Sequence, residues 1–520
     1  VVVVVVVFVV VVVIDMSCEA RDMCPTAGSS VAILGAGPSG LAACKAALEE
    51  GLRPSVFEQA AGVGGLWRGD SFGKVWKSLR TNLSKFTCSF SDFPWPEQAP
   101  DFPGSGEVQA YLEKYARQHD LLRYMRFQAR VISVEPVEGG AGGWNVTWQE
   151  GASETKTERF DFVVVATGIF SEPCLDAVPG LGAFTGQVIH AASYREPSQF
   201  AGQRVLVVGA AFSGADVAAD LVGAAATVTV ASRRPLWYIP RYISGRPADL
   251  VFYSRAKWEK GRHSTEEEAN LLRHKFFLSI AGDLPEPLQT PNPDRGDLPF
   301  VAISDAFLDA ARKKLVKVRP SEVVGFDGAA AIFACGSREE FDAVIVATGY
   351  RLSLPFFSSS TLQTMEFDST DLLQPAILHS CILHPGLPGL AFVGIYRGPY
   401  FATMELQARY ALGLFSGRLQ QPTPEVFSAG LAEERQIRAK RPRPQFPHGD
   451  YVGMTDSLAK LVGVHPGEIL ANEAHPLHAK LCDGPLLPFH YRLVGFQSKA
   501  ADAEAAIEEC SKKYPLMSPL

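Results

Sequence analysis

The residues best suited to chemistry lie in two glycine-rich segments, each directly after an apolar strand. The first consists of Gly35, Ala36, Gly37, Pro38, Ser39 and Gly40. Its first glycine permits a tight turn, its second lets the backbone approach a pyrophosphate, and its third allows close packing of helix on strand. The N-terminus of the following helix supplies unpaired N–H groups and positive dipole. Glu58 follows about 20 residues later, at the end of the next strand, where a carboxylate accepts hydrogen bonds from ribose hydroxyls. This segment predicts a dinucleotide site of the FAD type.

The second segment, residues 209–214, keeps the first and last glycines of the pattern but has Ala211 at the middle position. The Cβ of Ala211 would push a pyrophosphate toward Ser213 and the helix N-terminus. The next strand ends at Ser232, Arg233 and Arg234, with no acidic residue among them. A guanidinium there suits the 2′-phosphate of NADP, which a carboxylate would repel. The alternative is that these arginines lie in a solvated loop. The second site is thus predicted to bind NADP(H).

The elements around these segments predict an α/β protein with two Rossmann-like dinucleotide-binding domains. Two further apolar strands, 160–168 and 341–350, each end in Ala-Thr-Gly. Because the two glycine-rich units alternate with these strands, we expect the NADPH domain to be inserted in a split FAD domain. The expected divisions are a tail (1–28), a first FAD-domain segment (29–175), the NADPH domain (176–330), a second FAD-domain segment (331–440) and a C-terminal segment packed on the FAD domain (441–520).

The composition excludes several other classes of protein. The 520 residues carry 49 Lys and Arg against 56 Asp and Glu, a net charge of −7, which disfavours nucleic-acid binding. The nine cysteines include no C-x-x-C or C-x4-C pair, so a disulfide reductase is excluded and a reducing, cytoplasmic location is expected. His475 and His478, three residues apart in a polar segment, are not expected to bind a metal, and no metal site is predicted.

The two ends of the chain give no sign of a membrane anchor. Residues 1–14 are all Val apart from Phe8 and Ile14. This run is shorter than the roughly 20 residues that a transmembrane helix needs, and no basic segment precedes it. We interpret residues 1–15 as an artefact of the gene sequence, with translation starting at Met16. Residues 511–520 lack an apolar tail.

Further motifs resemble those of the flavin-containing monooxygenases, of the type that oxygenates dimethylaniline and other N and S compounds. Phe184, Gly186, His190 and Tyr194 fit F-x-G-x-x-x-H-x-x-x-Y. The other matches, in family order, are 64–67 (GGLW), 81–85 (TNLSK), 89–94 (SFSDFP), 405–410 (ELQARY, with Tyr for Trp) and 484–493 (GPLLPFHYRL). Together they cover residues 30–510, and the first string is the most specific.

The resemblance implies a monooxygenase that uses FAD, NADPH and dioxygen. A flavin 4a-hydroperoxide would oxygenate a nucleophilic nitrogen or sulfur of a small molecule. Asn82 is the expected catalytic residue, because a carboxamide can donate to a flavin or peroxide oxygen without adding charge. The resemblance also assigns to cofactor binding Leu66, Trp67, Thr81, Leu83, Ser213, Gly214, Ala215 and Asp216. His190 is expected to orient the link between the domains rather than to move protons.

Two alternatives stay open. The first is a Baeyer–Villiger or amino-acid N-hydroxylating flavoprotein, although Tyr194 stands where Baeyer–Villiger enzymes usually have Trp. The second is a flavin-binding protein that has lost NADPH turnover because of Ala211. The substrate, which we expect the loop 236–299 to select, and the oligomeric state cannot be read from the sequence.

Overall fold

The computed structural model describes residues 28–516, apart from 138–141, 152, 283, 289, 295 and 399. The Val run and Met16 lie outside the described residues. The helices are Pro38–Glu49, Ser105–Gln118, Phe212–Asp220, Ala248–Phe252, Arg255–Arg262, Glu266–Ala281, Asp305–Arg312, Ser359–Thr364, Phe401–Phe415, Pro424–Ala439, Tyr451–Val462, Gly467–Leu470, His478–Cys482 and Ala500–Lys513. Among the described residues, no helix is long and apolar enough to cross a membrane.

The first sheet has five parallel strands and carries the first glycine-rich turn. Their order across the sheet is Leu390–Phe392, Phe162–Val165, Ser30–Leu34, Arg53–Phe57 and Met125–Arg126. Its central strands are continuous apolar runs because both faces are covered, one by helices and the other by an antiparallel sheet and residues 352–378. Residues 129–160 add a three-stranded antiparallel sheet with strands Ala129–Pro136, Trp144–Glu150 and Thr155–Phe160.

The second sheet also has five parallel strands and carries the second glycine-rich turn. Their order is Lys317–Arg319, Thr227–Ala231, Arg204–Val208, Ala343–Val346 and Gln187–His190. The chain leaves the first sheet after residue 165, completes the second, and returns at residue 390. This confirms two Rossmann-type domains, one inserted in the other.

The expected boundary at residue 330 is wrong. Residues 331–440 were expected to belong wholly to the FAD domain, but the strand Ala343–Val346 pairs with Arg204–Val208 and Gln187–His190 in the second sheet. The three short strands Val323–Asp327, Ala330–Phe333 and Arg338–Glu340 form an antiparallel sheet just before it. The two strands that end in Ala-Thr-Gly look alike in sequence, but each domain contains one of them.

A buried ion cluster joins distant family motifs to the first domain. Arg492 Nη2 donates to Glu405 Oε1 at 2.8 Å, and its Nε donates to Ser91 Oγ at 2.8 Å. Lys45 Nζ lies 3.0 Å from Asp92 Oδ2. Although burial by itself raises the pKa of Asp92, the cations Lys45 and Arg492 hold it well below its usual value. The cluster therefore joins the C-terminal segment to the helix Pro38–Glu49, which follows the first glycine-rich turn.

Candidate functional site

A cavity of about 1740 Å³ lies at the carboxyl ends of both parallel sheets, which is where α/β proteins bind ligands. Its volume exceeds the roughly 300–1,000 Å³ of an ordinary small-molecule pocket. It is lined by these predicted residues: Gly35, Gly37, Pro38, Ser39, Glu58, Leu66, Trp67, Thr81, Asn82, Leu83, Ser213 and Asp216. Ala36, Gly40, Gly214, Ala215 and Arg233 are not among its lining residues. The fold thus brings most of the predicted site residues to one space.

The first glycine-rich turn is shaped by backbone contacts. Gly35 has φ +104°, in the region that favours glycine. A Cβ on Gly40 would lie 1.9 Å from the carbonyl oxygen of Gly35, so only glycine fits there. Gly37 precedes the helix Pro38–Glu49, and no side chain among the described residues caps this N-terminus. The first N–H groups of the helix are therefore available to an anion.

Glu58 supports this turn as well as facing the cavity. It is 7% exposed, and its Oε2 accepts from the Ala36 N–H at 2.8 Å while its Oε1 accepts from the Ala60 N–H at 2.8 Å. A carboxylate has further lone pairs and can also accept from a ligand hydroxyl. The sequence predicted the ribose contact but not the contact with Ala36.

The second glycine-rich turn repeats the geometry of the first. Gly209 has φ +106°, and a Cβ on Gly214 would lie 1.9 Å from the Gly209 carbonyl oxygen. Ala211 has φ −79° and ψ −168°, close to the −76° and −173° of Gly37. This extended backbone suits any residue, so alanine is accommodated without strain. The Ala211 Cβ affects only the space available to a ligand.

Asn82 is connected to the second domain through Arg241, which the sequence analysis did not identify. Arg241 is 9% exposed. Its Nη2 donates to Asn82 Oδ1 at 3.0 Å and to Asp216 Oδ2 at 3.1 Å, and its Nε donates to the Thr81 carbonyl at 3.1 Å. Its main-chain N–H donates to Asp305 Oδ1 at 2.9 Å. One guanidinium thus joins the Asn82 loop to the second glycine-rich helix.

These contacts determine the polarity of the site. With its Oδ1 held by Arg241, Asn82 can offer its Nδ2 hydrogens as donors. Burial raises the pKa of Asp216, while Arg241 and Ser304 act in the opposite direction. Thr81 Oγ1 is buried and has no hydrogen-bond partner among the described residues. A ligand bound in the cavity could give this hydroxyl a partner.

His190 makes the contacts of a structural residue. Its Nδ1 accepts from the Ala192 N–H at 3.1 Å, and its Nε2 lies 3.1 Å from the carbonyl oxygen of Gly349. Burial lowers its pKa to about 4, so the ring is neutral at neutral pH, and Nε2 carries the proton that Gly349 accepts. Tyr194 donates to Asp220 Oδ2 at 2.6 Å.

Arg233 lies away from the cavity. Its Nη1 is 3.4 Å from Glu322 Oε1, and its side chain is 63% exposed. The neighbouring Arg234 packs its guanidinium 4.5 Å from the centre of the Phe300 ring. The proposed contact of Arg233 with a 2′-phosphate therefore remains a prediction.

One wall of the cavity is aromatic, and no motif indicated it. Its rings are Phe252, Tyr253, Trp258, Phe276, Tyr400, Phe446 and Tyr451. The hydroxyls of Tyr253 and Tyr400 are 2.8 Å apart. The helices Ala248–Phe252, Arg255–Arg262 and Glu266–Ala281 supply the rings of Phe252, Trp258 and Phe276, and they lie inside the predicted substrate loop 236–299. Trp258 Nε1 donates to Asp450 Oδ2 at 2.8 Å, which joins the two sides of this wall.

Comparison with known proteins shows which family the chain belongs to. The sequence profile of the flavin-binding monooxygenase-like family matches residues 28–514. The chain belongs to this family. It is a flavin-dependent monooxygenase that uses FAD and NADPH. The residues around the cavity fit these cofactors. Both glycine-rich turns lead into helices whose N-termini have no side-chain cap, and Thr81 Oγ1 has no hydrogen-bond partner among the described residues.

Relatives of this flavin-binding monooxygenase cover most of the chain. Flavin-containing monooxygenase 5 of Oryctolagus cuniculus is 34% identical over 90% of this chain and 89% of its own length. Dimethylaniline monooxygenase (N-oxide-forming) 2 of Rattus norvegicus is 33% identical over 89% and 88%.

Two solved structures have the same fold. The S-allyl-L-cysteine S-oxygenase of Allium sativum superposes with a TM-score of 0.63 at 23% identity, covering 94% of this chain and 99% of that one. Cyclohexanone monooxygenase from Rhodococcus sp. Phi1, bound to NADP⁺, gives 0.61 at 19% identity, covering 84% and 98%.

Proposed function

We propose that this monooxygenase oxygenates a nucleophilic nitrogen or sulfur atom of a small molecule, with Asn82 as the catalytic residue. The observation that carries the proposal is the contact between Asn82 and Arg241, which holds the amide at the cavity that both glycine-rich turns line. The names of the relatives support it, since one forms N-oxides and another structure is an S-oxygenase.

The first glycine-rich turn would hold the FAD pyrophosphate through the N-terminus of Pro38–Glu49, and the second would hold NADPH in the same way through Phe212–Asp220. Leu66, Trp67 and Leu83 line the cavity between the turns and would contact the flavin. When bound, FAD would supply the chemistry of hydride acceptance and dioxygen activation.

The chain itself contributes orientation, a neutral hydrogen-bond donor and protection from water. Asn82 Nδ2 would donate to oxygen or to a cofactor carbonyl, and it stays uncharged at every pH. The aromatic wall removes water from the space beside it, which strengthens that hydrogen bond and protects a reactive oxygen from side reactions. The rings of this wall would favour soft, weakly solvated nucleophiles such as thioethers and tertiary amines.

The test is replacement of Asn82 in the holoenzyme. Asn82→Ala should lower the rate of product formation by about 100-fold, the usual effect of losing one such donor. Flavin content and anaerobic reduction of the flavin by NADPH should remain near those of the wild type, because neither turn is altered. Asn472→Ala, an exposed asparagine outside the cavity, is the matched control. Near-normal oxygenation by Asn82→Ala would remove Asn82 from the mechanism.

The substrate class is tested with a panel. A thioether, a tertiary amine and a ketone are supplied in turn, and product is compared with NADPH consumed and hydrogen peroxide released. The proposal expects S-oxide or N-oxide with little ester. Ester as the main product would instead establish the Baeyer–Villiger alternative. A flavin that stays oxidised under anaerobic NADPH would establish a protein that has lost turnover.

A further inference from the structure

A buried cluster of three metal-ligating side chains lies outside the cofactor cavity. Cys381 Sγ is 3.7 Å from Glu434 Oε1, and His448 Nε2 is 2.9 Å from Glu434 Oε2. One ligand atom from each residue lies within 4.8 Å of the other two. Cys381 is 5% exposed, and the side chains of Glu434 and His448 are 8% and 9% exposed. A thiol, a carboxylate and an imidazole therefore converge in a place with almost no access to solvent.

The distances suit a tetrahedral metal ion. Zinc binds sulfur at about 2.3 Å, histidine nitrogen at about 2.0–2.1 Å and carboxylate oxygen at about 2.0–2.2 Å. Tetrahedral angles then place sulfur and oxygen about 3.5 Å apart, and nitrogen and oxygen about 3.3 Å apart. The observed separations, Sγ to Oε1 at 3.7 Å and Nε2 to Oε2 at 2.9 Å, involve the two different oxygens of Glu434, so its carboxylate would bind the ion through both oxygens or turn to offer one of them to an ion held by Sγ and Nε2. We propose that Cys381, Glu434 and His448 bind a divalent transition-metal ion, with Zn²⁺ the best fit to this mixed ligand set.

A fourth residue holds the carboxylate in place. Gln374 Nε2 donates to Glu434 Oε2 at 2.6 Å and to the Glu434 carbonyl at 2.9 Å. Hydrogen bonds of this kind orient the carboxylate ligands of metal sites. Gln374 Oε1 and His448 Nδ1 are buried without a hydrogen-bond partner among the described residues. The surroundings therefore hold polar atoms that the described residues leave without a hydrogen-bond partner.

The backbone that carries Cys381 is strained. Ser380 and Cys381 have φ values of +55° and +59°, in the left-handed region that non-glycine residues avoid. The turn is closed by a hydrogen bond from the Ile382 N–H to the His379 carbonyl at 3.0 Å. Turns with two positive φ values strongly prefer Asn-Gly at these positions. Ser-Cys here costs stability, and such strain at a cysteine that faces two other ligands points to a function.

The proposed metal would fasten one wall of the cofactor cavity. Its ligands come from the turn at Cys381, from the helix Pro424–Ala439, and from the segment between that helix and Tyr451. In this last segment, residues 444–447 and 449–450 line the cavity on both sides of His448. The segment contains neither helix nor strand, so a metal bond at His448 would fix it to the first domain. Cys381 lies 53 residues from Glu434, and Glu434 lies 14 residues from His448, so no short spacing motif links the three ligands.

Metal analysis of the purified holoenzyme tests the proposal without relying on its activity. Protein made without a histidine tag is dialysed against Zn²⁺ and then against metal-free buffer, and its metal content is measured by mass spectrometry. We expect about one equivalent of zinc per chain, falling to under about a tenth in Cys381→Ser and in His448→Gln. Cys482→Ser, a partly exposed cysteine that is not one of the three ligands, is the control and should keep the metal.

Cobalt provides a second measurement on the same variants. Co²⁺ bound at Cys381 should give a thiolate-to-cobalt absorption band in the difference spectrum against the cobalt-free holoenzyme, and this band should be absent from Cys381→Ser. Flavin content and circular dichroism establish that each variant is folded. Wild-type protein with less than about a tenth of an equivalent of zinc would overturn the proposal and leave the three side chains as a hydrogen-bonded network. Zinc that Cys381→Ser retains in full would overturn it as well.

Discussion

Removal of the Arg241 guanidinium should damage both the stability of the protein and the coupling of its reaction. Arg241 and Asp216 form a buried pair whose side chains are 11% and 13% exposed. Replacing Arg241 by Met keeps the apolar stem but leaves the Asp216 carboxylate buried without its cation. Asp305 is 45% exposed on its side chain and loses little, because water replaces its partner.

The magnitude follows from these burials. Removing one partner of a buried ion pair costs about 3–5 kcal/mol. Because both side chains keep some exposure, we expect the lower end of this range, about 3 kcal/mol of unfolding free energy. The double variant Arg241→Met with Asp216→Asn removes the uncompensated charge and should recover more than half of that loss. Arg246→Met is the matched control, since Arg246 donates to the carbonyls of Tyr514 and Pro515 on the surface.

Urea denaturation followed by circular dichroism measures the unfolding free energies of the wild type, Arg241→Met, the double variant and Arg246→Met. A second assay compares NADPH consumed with product formed. Without Arg241, Asn82 Oδ1 loses its donor and the amide can rotate, so we expect NADPH oxidation to continue while product falls and hydrogen peroxide rises. Arg241→Lys should rescue stability better than coupling, because an ammonium group lacks the planar fork that reaches Thr81, Asn82 and Asp216 together. Two results would refute this reasoning. One is a loss below about 0.5 kcal/mol in Arg241→Met, which is within the range of ordinary surface substitutions. The other is a double variant that is as unstable as Arg241→Met.

Two other consequences are open to direct measurement. Gly40→Ala should abolish FAD binding, because the added Cβ would lie 1.9 Å from the Gly35 carbonyl oxygen. Gly106→Ala is the control and should keep its flavin, because there is open space around Gly106. Flavin absorbance per chain measures the difference, and a full flavin content in Gly40→Ala would contradict the prediction. His190 has a folded pKa of about 4, below its ordinary 6.5, so it stabilises the fold in its neutral form and that stability is lost as pH falls from about 6.5 to about 4. His190→Gln should flatten the pH dependence of unfolding free energy over this range; an unchanged profile would show that His190 does not stay neutral.

Much of the candidate site could be predicted because its signals are local. Glycine is required where an added Cβ would lie 1.9 Å from a carbonyl oxygen or where φ is positive, and each such requirement is visible as one residue type at one position of the sequence. The strands before the two turns are short apolar runs, and their spacing to Gly40 and Gly214 reflects the geometry of one turn. These local constraints indicated the fold class, both dinucleotide sites and, through the family motifs, Asn82.

The features that could not be predicted depend on contacts between distant residues. Arg241 lies 159 residues from Asn82, and nothing in its neighbourhood distinguishes it from other arginines. The strand Ala343–Val346 has the same apolar pattern as a strand of the first sheet, so only its hydrogen-bonded partners reveal that it belongs to the second. Local sequence specifies that a strand forms, but not which neighbour it pairs with.

By itself, the sequence determined the two glycine-rich turns, since their shape depends on backbone conformation, which each residue type restricts locally. Only the tertiary structure decided that both turns open into one cavity, that Arg241 joins Asn82 to Asp216, and that Cys381, Glu434 and His448 meet behind the cavity wall. Hydrogen bonds and close ion pairs form only between atoms a few ångströms apart, and residues far apart in the chain come within that distance only when the domains have folded against each other.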